Sequence, residues 1–502
     1  MIPCVPSLAT LGVLAACALT ICALGNVVYN LWFHPLRQYP GSILDAATRL
    51  PYTFHLLRGS VTQRTKRLHE KYGHVIRIAP NTLSYTCSEA WDDIYGLKQS
   101  SMRGNFPKDP KYYIRFDNDI NNISNANDRD HRRLRRVQAH AFSERALSLQ
   151  QAYLQKHVAL FISRLGDKIG STGKGTINAV QWFTYLSTDI IGELAFGENF
   201  EKFRKLEMHP WYENLQWSVK SFAFYRELSR YPRVIAYAML FLVTPRNRVL
   251  NDWNAIDFGK ELAANRMKHG ADQVDFMSYI LRASDERRMS DAEIAMSSIT
   301  FMIAGSETTA TLMSGLVYLL LTNPGTLQKL TSVIRRDFPV LTGMTFLELQ
   351  KHEYLNAVLS EALRLYPPAP DSLFRVAPAV GGIVAGQFIP PDTSVTVNLF
   401  AAFRSPLNFY RPEEFIPERW LKTCPIEFQS DKRSVFQPFS LGTRSCLGKN
   451  LAWMEMRVIL AHLLWHYNLQ ELMLDSTDWI GQQKIYTFWE KPDLNIRISK
   501  RD

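Results

Sequence analysis

The chain has 502 residues, 46% of them hydrophobic and 21% charged, a globular composition that excludes a disordered or fibrous protein. Lys and Arg number 58 against 47 Asp and Glu, a formal charge of +11. That balance suits nucleic acid, anionic lipid or an acidic protein surface, but no zinc-finger spacing or aromatic-rich basic motif supports nucleic acid. The six cysteines form no CxxC pair, which argues against a zinc cluster or a disulfide framework and suits a reducing compartment.

Leu8 to Val28 carries no charge, and about 20 apolar residues cross a bilayer core. Tyr29, Trp32 and Phe33 follow, where aromatic rings sit at the interface, and Arg37 is the first charge, which puts the body on the cytosolic side. A cleaved signal peptide fits less well, because the run is longer than a signal core and has no basic region before it. The expected organisation is an anchor over 1–33 with a transmembrane helix at about 8–28, a hinge over 34–50, and a body over 51–502. Pro35, Pro40 and Gly41 predict that the hinge is stiff and non-helical.

In the body, His74–Ala79 and Thr82–Thr86 flank Pro80-Asn81 and predict a hairpin. Asp128–Leu165 and Tyr185–Phe196 are helical in pattern. Val234–Val243 is apolar, with Arg226, Arg230 and Arg233 before it and Arg246 and Arg248 after it. It is too short to span a membrane and is read as a buried core helix; the alternative is a segment that dips into the anchor's membrane with its arginines on the headgroups. Ser290 and Glu293 form a capping box opening a helix that runs to Thr322, about 48 Å at 1.5 Å per residue. Thr345 and Glu348 repeat the box, and a helix over Tyr354–Leu365 ends before Pro367-Pro368. Gly381–Leu399 reads as strands, and a last helix begins near Cys446 and runs past His462. The fold class is mainly α with small β-sheets.

Phe439 to Gly448 reads FSLGTRSCLG. Each element has a use around a thiolate-bound haem. Cys446 supplies an axial sulfur that pushes electron density onto iron, and it sits where a loop meets a helix N-terminus that stabilises an anionic sulfur. Gly442 and Gly448 allow tight turns and close approach to a flat ring. Arg444 can pair with a propionate, and Phe439 packs beside the sulfur. The segment resembles the haem-binding loop of the cytochrome P450 family, and three further motifs stand in that family's order.

Glu361 and Arg364 share a helix face. The resemblance implies that they lock onto Arg419 of Pro417-Glu418-Arg419 as a structural triad. Ala304-Gly305-Ser306-Glu307-Thr308-Thr309 resembles the oxygen-activation motif; Gly305 makes room, Thr308 assists proton delivery and Glu307 relays protons. His131 and Arg135 lie four apart on a helix, and the resemblance implies that both hold a propionate, with His131 in place of the usual Trp. Arg375 resembles the other propionate arginine. By the same analogy the pocket draws on Ser100–Ile123, Phe301, Ala304, Asp371–Phe374 and Lys484–Phe488. Asp371 either binds a hydroxyl or amine of the substrate or is a solvated turn residue.

The resemblance covers the chain from the hinge to the C-terminus and is nearest to microsomal enzymes of filamentous fungi that modify secondary metabolites. It implies a P450-type fold behind a single transmembrane helix, and residues 51–502 as the haem-binding catalytic domain. It also implies haem b, insertion of one oxygen atom from O2 into a lipophilic small molecule, and electrons from NADPH through NADPH–cytochrome P450 reductase. The expected location is the endoplasmic reticulum membrane, single-pass, with a cytosolic body. Asn122-Ile123-Ser124 is the one glycosylation sequon, and a cytosolic body leaves it unused. The rival chemistry is a haem-thiolate isomerase, dehydratase or peroxide-using enzyme; keeping Glu307 and Thr308 favours the monooxygenase.

Overall fold

In chain order, the helices that position the site are α1 (Leu8–Val28), α2 (Leu50–Leu57), α3 (Asp128–Gln138), α4 (Glu144–Ile169) and α5 (Ala179–Phe196), then α6 (Pro210–Leu228), α7 (Arg233–Val243), α8 (Asp291–Thr322), α9 (Glu353–Leu365) and α10 (Lys449–His466). The structure is a computed structural model describing residues 8–97, 105–113, 120–197, 210–243, 246–273, 275–283, 288–473 and 478–501. The strands are β1 (Val75–Ala79), β2 (Thr82–Tyr85), β3 (Lys174–Asn178), β4 (Arg375–Val376), β5 (Gly382–Val384), β6 (Gln387–Ile389), β7 (Ser394–Val397), β8 (Tyr467–Leu472), β9 (Lys484–Ile485), β10 (Trp489–Glu490) and β11 (Asn495–Lys500). Among the described residues they form one sheet in the order β1-β2-β7-β4, one in the order β3-β11-β8, and two two-stranded ribbons. The expected hairpin is the antiparallel pair β1–β2.

The axis of the body is α8. Its capping box is complete, with Ser290 N donating to Glu293 Oε2 at 2.9 Å and Glu293 N to Ser290 Oγ at 3.2 Å. The helix is buried on almost every side and packs closely on α5. A Cβ on Gly305 would lie 2.4 Å from Ile191 Cδ1 on α5, so Gly305 lets a neighbouring helix approach closely. Around α8 the main core gathers side chains from α4, α5, α9 and α10, while a second core lies under the β1-β2-β7-β4 sheet.

Three local expectations change. The helix expected over Asp128–Leu165 divides: a 3-10 turn spans Ala139–Phe142, and Ser143 then caps α4 by accepting from Ala146 N at 3.3 Å. Within the hinge, Pro35–Gln38 is a 3-10 turn and Ile43–Ala47 a short helix, because proline is tolerated in a first turn where its missing N–H costs nothing. The 234–243 segment is not a core helix. None of α7 is buried, and Val234, Phe241 and Leu242 are 82%, 62% and 81% exposed.

Among the described residues one helix is long and apolar enough to cross a membrane, by a window at Ala16–Phe33 of which none is buried. Its end is fastened to the body. Arg77, 1% exposed, donates to the Asn30 carbonyl at 3.0 Å, and Asn30 Nδ2 donates to Ala47 O at 2.9 Å.

Candidate functional site

The loop before α10 is shaped by backbone that few residues accept. Ser440 and Gly442 both have positive φ, 59° and 73°. A Cβ on Gly442 would also lie 2.0 Å from the Tyr95 carbonyl oxygen, so glycine is required there on two counts. Cys446 N donates to Phe439 O at 2.8 Å and closes the loop. The helix starts at Lys449, three residues after Cys446, with Gly448 as N-cap. Burial pushes the Cys446 thiol up, while the Gly448 amide, Arg135 and Lys449 oppose this by favouring the thiolate. The residue is nonetheless exposed. Phe439 is partly buried, with its ring 6.2 Å from that of Trp453.

A second wall of open space runs along α8. Thr300, Ala304 and Thr308, at i, i+4 and i+8, are accessible, Ile303 and Gly305 beside Ala304 are partly so, and Phe301, Met302, Ser306, Glu307 and Thr309 are buried, so one face of the helix borders open space. Phe301 lies off that face and is buried, its ring meeting Phe142 at 5.4 Å and Phe276 at 5.6 Å. Thr308 Oγ1 donates to Ala304 O at 2.5 Å. Glu307, on the next face, is ion-paired with Lys491 and accepts from Thr311 Oγ1 at 3.3 Å, and Lys491 also donates to Thr311 Oγ1 at 2.8 Å.

Sequence reasoning missed a second acid on this wall. Glu455 on α10 accepts from Thr309 Oγ1 at 2.7 Å. Its other oxygen is buried without a hydrogen-bond partner, and burial pushes its carboxyl up to about 8. Only its proximity to Thr309 marks it out, and that is invisible along the chain.

On the side of the cavity bordered by α3 and β4, cations converge. His131 is 3% exposed, and burial, then Arg444, Lys108 and Arg135, push its imidazole down to about 3. Burial is also the main cause lowering Arg444, with Arg375 adding repulsion and Asp128 opposing it at 2.6 Å. Arg375 Nε, Arg444 Nε and Arg444 Nη1 are buried without hydrogen-bond partners. Arg135 turns to the sulfur loop, donating to the Ser445 carbonyl at 2.6 Å.

Farther out, Asp371 is buried. Tyr112 donates to its Oδ2 at 2.8 Å and Arg226 of α6 at 3.4 Å, while Ser372 N donates to Oδ1 at 2.7 Å. The solvated-turn alternative is therefore excluded. The Phe374 ring lies 4.9 Å from that of Tyr112, within an aromatic cluster that includes Tyr52, Phe224 and Tyr486. Of the Ser100–Ile123 stretch expected to line the pocket, 100–104 and 114–119 lie outside the described residues.

The buried structural cluster is complete. Arg364 makes two bonds of 2.8 Å to Glu361, Arg419 Nε reaches Glu361 at 3.1 Å, and Trp420 Nε1 donates to it at 2.8 Å. Asp431, which sequence reasoning missed, pairs with Arg419 and balances the charges. Burial alone would raise the Glu361 carboxyl; Arg364 and Arg419 hold it below the ordinary range instead.

An accessible cysteine in the loop before a helix, an open face on the long helix and orphaned guanidinium donors at Arg375 and Arg444 suit a cofactor held by a cysteine sulfur. Residues 46–492 match the family described as Cytochrome P450. The chain is 40% identical over 480 residues, 95% of each protein, to "Cytochrome P450 monooxygenase astJ" of Aspergillus oryzae. It is 41% identical to "Cytochrome P450 monooxygenase stcF" of Emericella nidulans, covering 96% of this chain and 98% of that one. It is 38% identical to an "Averantin hydroxylase" of Dothistroma septosporum, covering 96% and 90%. The solved haem domain of cytochrome P450DA shares the fold, with a TM-score of 0.71 at 19% identity over 90% of this chain and 95% of that chain. The chain belongs to the cytochrome P450 family. It is a monooxygenase, and its chemistry rests on a haem iron bound by a cysteine thiolate, with O2, a redox partner and a lipophilic substrate.

The residues present fit such a group. The accessible Cys446 sulfur, the open stripe on α8 and the orphaned donors of Arg375 and Arg444 suit a metal, a flat apolar ring and two carboxylates in turn.

Proposed function

We propose that Cys446 is the axial ligand of haem b, with Arg444, Arg375 and His131 holding its propionates, Phe439 and Gly448 against the ring, and Arg135 steadying the sulfur loop. The accessible sulfur facing the Gly448 amide carries this reading. When bound, the haem supplies oxygen activation. The chain's own residues hold and move protons. Lys491 is ion-paired with Glu307; Glu307 relays protons, and the Thr308 hydroxyl leaves the Ala304 carbonyl to present a proton at Oγ1 to the cavity.

The substrate is a lipophilic secondary metabolite that is hydroxylated or epoxidised. Ala304 borders its site, and the aromatic cluster around Phe374 supports an apolar outer wall. Averantin hydroxylases among the relatives support hydroxylation. Electrons come from NADPH–cytochrome P450 reductase. The chain is anchored by α1 in the endoplasmic reticulum membrane with the body in the cytosol, and the exposed apolar α7 supports a second contact with that membrane. Residues 34–50 link anchor and catalytic domain.

The test is the ferrous–CO spectrum. The wild type shows the thiolate band and Cys446→Ala loses it; a wild-type band at the neutral-ligand position overturns the ligand assignment. Product formation with the reductase and a panel of candidate metabolites, read by mass, then identifies the substrate.

A further inference from the structure

The last turn of α10 carries an arrangement that the haem site does not use. His462 and His466 stand four apart on this helix, and residues at that spacing share one face, one turn above the other. Their rings are nearly parallel, 18° between planes, with centroids 6.0 Å apart. Both residues are only partly buried. The helix has 18 residues, about 27 Å at 1.5 Å per residue, and the pair lies at the end away from the Cys446 loop.

His466 Nδ1 bonds to the His462 carbonyl at 2.9 Å. A carbonyl only accepts, so in the neutral ring Nδ1 carries the hydrogen and Nε2 keeps the lone pair. Metal-binding histidines are held in this way, one ring nitrogen donating to a carbonyl or carboxylate while the other ligates. Among the described residues the His462 ring has no hydrogen-bond partner. Two histidines four apart on a helix face are also the spacing by which helical zinc sites take two of their ligands.

The surroundings select the kind of ion. The carbonyl end of a helix is the negative pole of its dipole, and here it draws cations: Arg335 Nε donates to Leu464 O at 2.9 Å and Arg501 Nη1 to Trp465 O at 3.5 Å. The Arg501 guanidinium also lies 4.7 Å over the Trp465 ring. Both guanidiniums repel a further cation, which disfavours an ion held by charge alone and leaves one held by donated imidazole lone pairs.

We infer that His462 and His466 form a two-histidine site for a divalent transition-metal ion of the zinc or copper class. Among the described residues no group of three His, Cys, Asp or Glu gathers to hold a metal, so water completes the coordination shell. Imidazole suits Zn2+ and Cu2+, whereas Mg2+ and Ca2+ take oxygen ligands. A bound ion ties the last turn of α10 to the turn before it and stabilises the folded chain by mass action.

The experiment uses untagged full-length holoenzyme, with Zn2+ as probe and Mg2+ as control, read by equilibrium dialysis and by the thermal unfolding midpoint. The wild type binds one more Zn2+ per chain than the double variant His462→Gln/His466→Gln. Its midpoint rises with free Zn2+ and not with Mg2+. Each single variant weakens binding at this site by about tenfold or more and loses most of that rise. Midpoints are compared first without metal, so a packing loss shows there and ligation only when zinc is added. Equal Zn2+ stoichiometry in the wild type and the double variant overturns the inference, as does an equal rise with Mg2+.

Discussion

Glu307 and Lys491, 184 residues apart, form an ion pair at the heart of the molecule. Both side chains are nearly inaccessible, 9% and 5% exposed, and Thr311 joins the pair. The acid next to Thr308 is therefore held one turn toward the C-terminus, while Thr308 bonds back to Ala304, one turn toward the N-terminus.

Lys491→Met leaves a buried carboxylate without its cation, and we expect a loss of about 3–5 kcal/mol in stability. Combining it with Glu307→Gln should restore most of that loss, a coupling read by a double-mutant cycle of denaturant unfolding. Glu307→Gln alone should fold and lower product formed per electron pair by about tenfold or more. Additive single-variant losses would show that the two residues are not energetically coupled.

Glu455 has a carboxyl raised to about 8 by burial, against an ordinary value of 4.5. Between those values the unfolded chain has released this proton and the folded one keeps it, so the group lowers stability as pH rises across that window. Glu455→Gln should fold normally and remove this part of the slope. Thermal melts at pH 5 to 8 check it, and an unchanged slope would show that Glu455 titrates normally.

The Glu361–Arg364–Arg419–Asp431 cluster has no exposed member. Arg419→Leu strands the Asp431 carboxylate in the core and leaves Glu361 with Arg364 alone, and we expect a loss of about 3–5 kcal/mol, seen as haem-free or aggregated protein. The Glu361 carboxyl is held low by its arginines. Its contribution is present above the ordinary carboxylate range and is lost as pH falls through the lowered folded value, so acid should release haem together with this cluster.

Asp371→Ala should destabilise for the same reason, by leaving Arg226 buried beside Tyr112 without its anion. The paired variant Asp371→Asn/Arg226→Gln should recover the fold. Spectral titration of that variant with substrate tests whether Asp371 also takes up a hydroxyl or amine: a wild-type dissociation constant makes the carboxylate purely structural.

Local backbone chemistry made part of this legible. The FSLGTRSCLG loop can be read because Gly442 must adopt positive φ under the Tyr95 carbonyl, and the start of α8 because Ser290 and Glu293 cap it. Lys491 and Glu455 could not be found this way, since each is defined by a partner more than a hundred residues away along the chain.

By itself the sequence determined the family, the sulfur-bearing loop, the apolar N-terminal helix and both ends of α8, all of which depend on residues within a few positions of each other. Only the tertiary structure decided which narrow face of α8 opens inward, placing Ala304 and Thr308 on the cavity and Phe301 in the core. It alone exposed α7, and only burial beside non-local partners pushes the Glu455 carboxyl up and holds that of Glu361 down. Caps and turns are local energies, whereas burial and desolvation are summed over neighbours that only folding brings together.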